Sequence, residues 1–465
     1  MGVIMKSQGG GGGCGSGLAA ATGCLLMLSL LLNVCLVREM MSPRKGLTWT
    51  EAAAREAEHA AAMHCSGHGT AYLDSSEGCE CHSCYAGPDC SVFLADSCFA
   101  EADGGDPLFL EPFWRKHSAS SAVLVSGWHR MGYSYSDQTT ISKVLEERIR
   151  ELHSVIGNAV TDGKFILFGV GSTQLIAAAV NSIFAPNSSA PAKVVASIPY
   201  YTLYRLQTQL FDSRDCDFKG DTAAWNGNYS GSTDQFIEFV TAPNNPDGQM
   251  NKAVLRGPNV RTIHDRAYYW PHFTAISSPD NEDLTIFTIS KLTGHAGSRF
   301  GWALIKDEDV YERMKLYIQY NTLGVSKDTQ LRALKLLEVV LRDGGRSIFE
   351  DGHRTMSKRW ERLRDAMSVS DRFSLQKIPP ERCLYFNETR DPTPAYAWVK
   401  CEWDEGQSCY EVLKSGKILG RMGSLFEAED RYVRLSLIRS DDDFETLVTH
   451  LRKLAAAAED GPKST

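Results

Sequence analysis

Apolar and polar positions change period along the chain, and the changes mark out elements. Val144, Leu145, Ile149, Leu152 and Val155 recur at roughly helical spacing. Phe165–Phe168 is then a short apolar run that stops at Gly169, and Leu175–Phe184 reads as a buried helix. Further short runs follow at Val194–Ile198, Phe236–Val240, Thr262–His264, Leu284–Ile289 and Trp302–Ile305. Strand-like runs alternating with helical stretches predict the α/β class, with a mostly parallel sheet covered on both faces. Leu331–Leu341 opens a long helical stretch, and Tyr396–Val399 and Tyr432–Ile438 read as strands of a smaller α+β domain. Near the amino end, Glu51–Met63 is a run of Ala, Glu and Arg with little apolar face. It predicts a stalk or a solvated helix. No internal repeat is visible, and the glycines at 9–13 are the one low-complexity tract.

Gly17–Val37 carries no charge over 21 residues. That length spans a hydrocarbon core of ~30 Å. A cleaved signal peptide is the competing reading, but no small-x-small site precedes Arg38. An uncleaved anchor is therefore expected. Lys6 precedes the stretch and Arg38, Arg44 and Lys45 follow it, which by charge alone would leave the carboxyl side in the cytosol.

The cysteines point the other way. Six of 13 lie close together, at Cys65, Cys79, Cys81, Cys84, Cys90 and Cys98. An even, tight cluster among small polar residues reads as a disulfide module, which needs an oxidising compartment. Zinc would need a second ligand pair beside Cys81-x-x-Cys84 and the nearby His64, His68 and His82, and none follows, so no metal is expected. Sequons at Asn187, Asn228 and Asn387 add to a lumenal or extracellular reading for residues 38 onward. The resulting organisation is a tail (1–16), the apolar segment (17–37), a helical stalk (38–64), the cysteine-rich module (65–98), an arm and large domain (99–320), a small domain (321–456) and a tail (457–465). Hydrophobic residues at 43% and charged residues at 23% of the 465 fit an ordinary globular chain. Lys+Arg at 49 against Asp+Glu at 57 gives a net charge of -8 and argues against a nucleic-acid partner.

The chemistry-bearing residues follow the carboxyl ends of the strand-like runs, where open α/β sheets bind ligands. Gly169-Val-Gly-Ser-Thr-Gln174 stands between a strand and a helix, where backbone N–H groups and the helix dipole favour a phosphate; a plain turn has the same pattern. Asn244-Asn245-Pro246 is an ordinary turn signal. Asp265 is either a helix cap or a carboxylate that pairs with a protonated ring nitrogen. Lys291, after Ser290 and eight residues before Arg299, suits a lysine that bonds a carbonyl, with Arg299 as a phosphate fork.

In that order these features resemble the fold-type-I pyridoxal phosphate enzymes. The flanks narrow the resemblance. Cys65-Ser-Gly-His-Gly-Thr-Ala with Cys79-Glu-Cys-His-Ser-Cys84-Tyr-Ala-Gly-Pro-Asp-Cys90 is similar to the EGF-like module of plant alliinases. Ser126-Gly-Trp-His-Arg-Met131, Ser290-Lys-Leu-Thr-Gly-His-Ala-Gly-Ser-Arg299-Phe-Gly-Trp and Arg431-Tyr-Val-Arg434-Leu-Ser-Leu resemble the alliinase and tryptophan-aminotransferase-related family over residues 65–455. The resemblance implies pyridoxal 5'-phosphate as cofactor and a seven-stranded large domain. It implies Lys291 as the Schiff-base lysine and Asp265 as partner of the pyridine nitrogen. Asn245 and Tyr268 would bond the ring oxygen, and Ser172, Thr173, Gln174, Ser290 and Arg299 the phosphate. Tyr201 would stack on the ring. Tyr133 would reach the phosphate of a neighbouring subunit, which implies a homodimer. Arg434 would hold the substrate carboxylate. The implied disulfides are Cys65–Cys79, Cys81–Cys90, Cys84–Cys98 and Cys401–Cys409, with Cys216 and Cys383 unassigned.

The implied activity is an aminotransferase taking L-tryptophan and a keto acid to indole-3-pyruvate, as in auxin biosynthesis. The alternative is a carbon-sulfur lyase on S-alkyl-cysteine sulfoxides. A non-catalytic binding protein would be expected to lack Lys291, Asp265 or Arg299, and all three are present.

Overall fold

The computed structural model describes residues 27–34, 48–71, 78–95, 97–129, 131–185, 190–211, 214–227, 233–402 and 408–456. Residues 1–52 and 53–465 are two separate compact units. In the first, residues 27–34 are helical and exposed. No helix among the described residues is long and apolar enough to cross a membrane. The rest of the apolar segment at 17–37 lies outside the described residues, as do Asn187 and Asn228. Asn387 is described and exposed, in a turn at φ 58°.

The large domain is built on a mixed seven-stranded sheet. Its spatial order is Phe165–Gly169, Gly301–Ile305, Leu284–Thr288, Val260–Asp265, Phe236–Thr241, Ala192–Ala196, Cys216–Asp221. Gly301–Ile305 is antiparallel to both its neighbours, and the other pairings are parallel. Six strands thus point one way. Alternate side chains enter separate cores on the two faces. Ile166, Phe168, Trp302 and Leu304 pack on one side, and Leu167, Ala303 and Ile305 pack on the other. Burial on both faces is why these strands read as unbroken apolar runs. The seventh strand, Cys216–Asp221, left no such run. Its sequence CDFKGD is polar because it lies at the sheet edge with most of its side chains half-exposed.

Helix Lys143–Ile156 shows why the periodic signal worked. The Ser142 hydroxyl accepts from the Leu145 N–H at 3.4 Å, and Gly157 closes the helix at φ 71°. Leu145, Ile149, Leu152, His153 and Ile156 form its buried face. His153 is fully buried, and its Nε2 accepts from the Trp302 indole N–H at 2.9 Å while Nδ1 lies 2.8 Å from Asn158 Oδ1. Because indole is only a donor, Nε2 must be bare and Nδ1 carries the hydrogen. Burial pushes the imidazole down from 6.5 to about 4.

A proton taken up by the unfolded chain near pH 6.5 is thus refused by the fold until about pH 4. This residue's share of stability is complete above pH 6.5. It falls by ~3 kcal/mol as pH drops through that window, then levels. His153→Gln should flatten the fall of the urea midpoint between pH 6.5 and pH 4. An unchanged slope would show that His153 does not stay neutral in the fold.

The small domain carries the sheet Phe373–Leu375, Tyr396–Cys401, Tyr432–Ser436, Arg421–Met422, all antiparallel. Ala100–Glu101 pairs with Ile418–Leu419, so the chain after the cysteine-rich module enters the small domain first. The segment from residue 99 therefore contributes to both domains.

Among the described residues four disulfides join Cys65 to Cys79, Cys81 to Cys90, Cys84 to Cys98 and Cys401 to Cys409. Cys216 and Cys383 are buried and take no part in these disulfides. The small module has few buried apolar residues, so its crosslinks supply what a core would. It is fastened to the small domain by polar contacts: His68 and His82 both reach the Asp442 carboxylate, at 3.0 and 2.7 Å. Such a disulfide content belongs to the secretory pathway or the cell exterior.

Candidate active site

Sheet register gathers the site at one edge. Thr241 lies opposite Asp265, and Gly301 lies opposite both Thr288 and Gly169. The turns after these strands frame a cavity of about 240 Å3.

Lys291 sits in a single helical turn, Ile289–Leu292, after the strand Leu284–Thr288. Thr288 Oγ1 accepts from the Ser290 N–H at 3.1 Å and lies 3.0 Å from the Phe300 carbonyl, fixing the turn. Lys291 Nζ donates to the Gly105 carbonyl and stands 5.7 Å above the Tyr268 ring. Tyr268 and Tyr396 share a hydrogen bond of 2.7 Å between their hydroxyls. Burial drives the Tyr268 phenol well above its ordinary range. Burial also opposes ionisation of Tyr396, but the charges of Lys291 and Arg434, helped by Tyr268 and Arg421, outweigh it and leave that phenol lowered.

Asp265 ends the strand Val260–Asp265 and is buried. It accepts from the Tyr204 hydroxyl at 2.8 Å and from the Ala267 N–H at 3.0 Å. Burial raises its carboxyl pKa, and these donors and Arg266 only partly offset that. Among the described residues Asp265 forms no ion pair, so its charge calls for a cation from outside the chain.

Helix Gly171–Ser182 brings Ser172 and Thr173 to the opposite wall. Arg299, at φ 50°, donates to the Ala296 carbonyl at 2.9 Å and reaches Thr173 Oγ1 at 3.4 Å. Gly171 stands at φ 71°, and a Cβ there would lie 2.4 Å from Arg299 Nη2. Gly171→Ala should therefore push the guanidinium aside and weaken phosphate binding about tenfold, the worth of one charge-assisted hydrogen bond. Titration of the apoprotein with cofactor checks this, and an unchanged affinity would remove Arg299 from the phosphate site.

Arg434 is almost fully buried on the strand Tyr432–Ser436. Its guanidinium donates to Asn245 Oδ1 at 3.0 Å and to the Asp103 carbonyl at 2.7 Å, with the Tyr396 ring 3.9 Å away. Among the described residues its Nε has no hydrogen-bond partner. Asn244, beside Asn245, instead braces the turn through the Pro199 carbonyl at 2.9 Å and Asp247 at 2.8 Å.

The cavity thus brings together Ser172, Thr173, Tyr201, Asn245, Asp265 and Tyr268 with Ser290, Lys291, Arg299 and Arg434. Two expected residues stand apart. Gln174 folds back so that Oε1 accepts from the Val170 N–H at 2.8 Å and Nε2 reaches Thr322 at 3.0 Å, which uses its amide to cap the turn. Tyr133 is 80% exposed and does not line the cavity. Sequence reading missed Gly105, Thr288, Tyr396 and Arg421, which do line it, and Tyr204, which holds Asp265. Tyr204 alone left a trace, three residues after Tyr201 in a helical stretch.

This donor set fits pyridoxal phosphate. An unpaired buried carboxylate suits the pyridinium, Arg299 with the helix start suits the phosphate, and Lys291 lies between them.

Family models agree with that chemistry. One described as allinase matches residues 100–455, and one described as the alliinase EGF-like domain matches residues 48–98. The chain belongs to the alliinase family. Pyridoxal 5'-phosphate is its cofactor. The alliinase EGF-like match takes in the helix Trp49–Ala62 as well as the disulfides. Tryptophan aminotransferase-related protein 4 of Arabidopsis thaliana is 52% identical over 94% of this chain and 97% of its own length. Alliin lyase of Allium cepa is 44% identical over 94% of each. Among solved structures, the multiple substrate aminotransferase of Thermococcus profundus matches at TM-score 0.58 and 14% identity, over 78% of this chain and 92% of that one. The Pyrococcus horikoshii kynurenine aminotransferase matches at 0.57 and 14%, over 80% and 93%. This likeness shows the fold, the type I fold of pyridoxal phosphate aminotransferases.

Proposed function

We propose that the protein is an aminotransferase that passes the amino group of an aromatic amino acid, L-tryptophan foremost, to a keto acid. The convergence of Lys291, Asp265, Arg299 and Arg434 on one cavity carries the enzyme reading. The choice of reaction rests on identity of 52% and 54% to tryptophan aminotransferase-related proteins, against 44% and 45% to alliin lyases.

When bound, pyridoxal phosphate supplies an electron sink that weakens the substrate Cα–H bond. The chain does the rest. Arg434 forks onto the substrate carboxylate, oriented by Asn245 and the Asp103 carbonyl. The Tyr396 ring keeps the guanidinium plane in place. Lys291, as the free amine, takes the Cα proton and returns it, and the Gly105 carbonyl and Tyr268 ring fix its Nζ. Asp265 keeps the ring nitrogen protonated, and Tyr204 holds that carboxylate in line. Ser172, Thr173, Ser290 and Arg299 anchor the phosphate. Gln174 contributes by bracing the phosphate turn. Tyr133 serves the neighbouring subunit of a homodimer. Residues 17–37 anchor the chain in the membrane, and Asn187, Asn228 and Asn387 are the glycan sites.

A second reading, the carbon-sulfur lyase, is favoured by the EGF-like module at 48–98, which matches the alliinase model. Incubation of the purified protein with L-tryptophan and a keto acid, and separately with an S-alkyl-cysteine sulfoxide, separates them. Indole-3-pyruvate formed in step with the acceptor's amino acid is the expected result. Pyruvate and ammonia from the sulfoxide, with no keto acid from tryptophan, would make the protein a lyase.

A further inference from the structure

The cavity holds more positive charge than the proposed reaction has so far used. Four cationic side chains line it, Lys291, Arg299, Arg421 and Arg434, against the carboxylates of Asp265 and Asp106. Asp106 is already engaged by Arg439 at 3.2 Å. Phosphate takes Arg299 and the substrate's α-carboxylate takes Arg434. Arg421 is left over.

Its placement is specific. Arg421 and Arg434 are direct cross-strand partners in the antiparallel pair Arg421–Met422 and Tyr432–Ser436. Opposite residues project from the same face with Cβ atoms about 4.5–5.5 Å apart, and like charges so placed repel. Among the described residues neither arginine is neutralised by a carboxylate. Arg434 donates to an amide oxygen and backbone carbonyls, which carry no charge. The Arg421 guanidinium forms no hydrogen bond or ion pair among the described residues. Its charge acts on the phenols of Tyr201 and Tyr396, which line the same cavity. Two adjacent guanidiniums facing a partly dry cavity repel strongly, and a ligand with two anionic groups removes that repulsion.

Tryptophan brings one carboxylate, for Arg434, and an uncharged ring. The second charge must arrive with the other substrate. We infer that Arg421 receives the distal carboxylate of a dicarboxylic 2-keto acid, which is the amino-group acceptor. The inference rests on the transaminase reading of this cavity. A monocarboxylic acceptor would leave Arg421 unanswered and bind more weakly.

The test uses full-length protein loaded with pyridoxal phosphate, and non-reacting acids as probes. Glutarate and butyrate are titrated calorimetrically into the wild type, Arg421→Met and Arg421→Lys. Wild type should bind glutarate at least about tenfold more tightly than butyrate, the worth of one charge-assisted hydrogen bond. Arg421→Met should lose that preference, and Arg421→Lys should keep part of it. Equal affinities in the wild type would overturn the inference, as would a preference that survives Arg421→Met. Weakened binding of indole-3-propionate by Arg421→Met, with glutarate unaffected, would also overturn it and assign Arg421 to the aromatic ring. The same samples report cofactor uptake by absorbance. A protein that takes up no cofactor refutes the enzyme reading, while the effect of Arg421 on glutarate binding is still measured on the apoprotein.

Discussion

Lys291→Ala should lower turnover at least about 10³-fold, because positioned proton transfer alone contributes 10²–10⁴ and the lysine is also the residue we propose to hold the cofactor carbonyl. The fold should survive. Lys291 is half-buried, and its loss removes one hydrogen bond to the Gly105 carbonyl, worth about 1 kcal/mol. Thr288, Ser290 and the Phe300 carbonyl still define the turn. The variant should melt within a few degrees of the wild type and should lack the visible absorption band of lysine-bound cofactor. The phosphate site we propose at Arg299, Ser172 and Thr173 does not involve the lysine, so the cofactor should still bind, in a form removed by dialysis. Full activity in this variant would take Lys291 out of the site altogether.

Arg434→Met should lower kcat/KM for tryptophan about 10²–10³-fold, since truncating one partner of a buried, hydrogen-bonded charge pair costs roughly 2–5 kcal/mol. The informative readout is discrimination. Wild type should bind tryptophan far better than tryptamine, which lacks the carboxylate, and Arg434→Met should bind both alike. Lysine at 434 should restore little, because an ammonium cannot span Asn245 Oδ1, the Asp103 carbonyl and a carboxylate in one plane. The side chain is buried against Tyr396 and Phe426, so methionine refills that space and stability should change little. A variant that keeps its preference for tryptophan over tryptamine would move carboxylate recognition elsewhere, with Arg421 the first residue to examine.

These two residues also mark how differently sequence reveals a site. Lys291 was legible because its neighbours are contiguous. A strand, a Ser-Lys turn and an arginine eight residues on lie in one stretch, and the physics of the turn is local. Asp265 was legible for the same reason, at the end of an apolar run. Arg434 on its own reads as a surface arginine on a late strand, and only the family resemblance suggested a role. Its burial comes from nearby Phe426 and from Tyr396 and the segment at 103–104, which are distant in sequence. Tyr396 and Arg421 had no local signal at all. Each is an ordinary strand residue whose importance comes from what stands across the sheet or the cavity. Gln174 shows the converse: a side chain inside a phosphate-like motif turns back to Val170, because the sharp turn leaves that N–H without a backbone partner.

The sequence by itself determined the classes of chemistry available and the elements that carry them. Short unbroken apolar runs marked the strands buried on both faces, because burial of a whole strand demands such a run, and helical spacing marked the helices between them. The cysteine spacing marked a crosslinked module, because a segment so short and polar cannot hold a core. The edge strand Cys216–Asp221 escaped because an edge needs no such run. Only the tertiary structure decided how charge is balanced. It set Arg421 beside Arg434, left Asp265 without a cation of its own and brought residues 103–106 over the site from the far end of the chain. Local propensity acts over a few residues, whereas desolvation and Coulomb repulsion depend on distances in space, and those exist only once the sheets have closed.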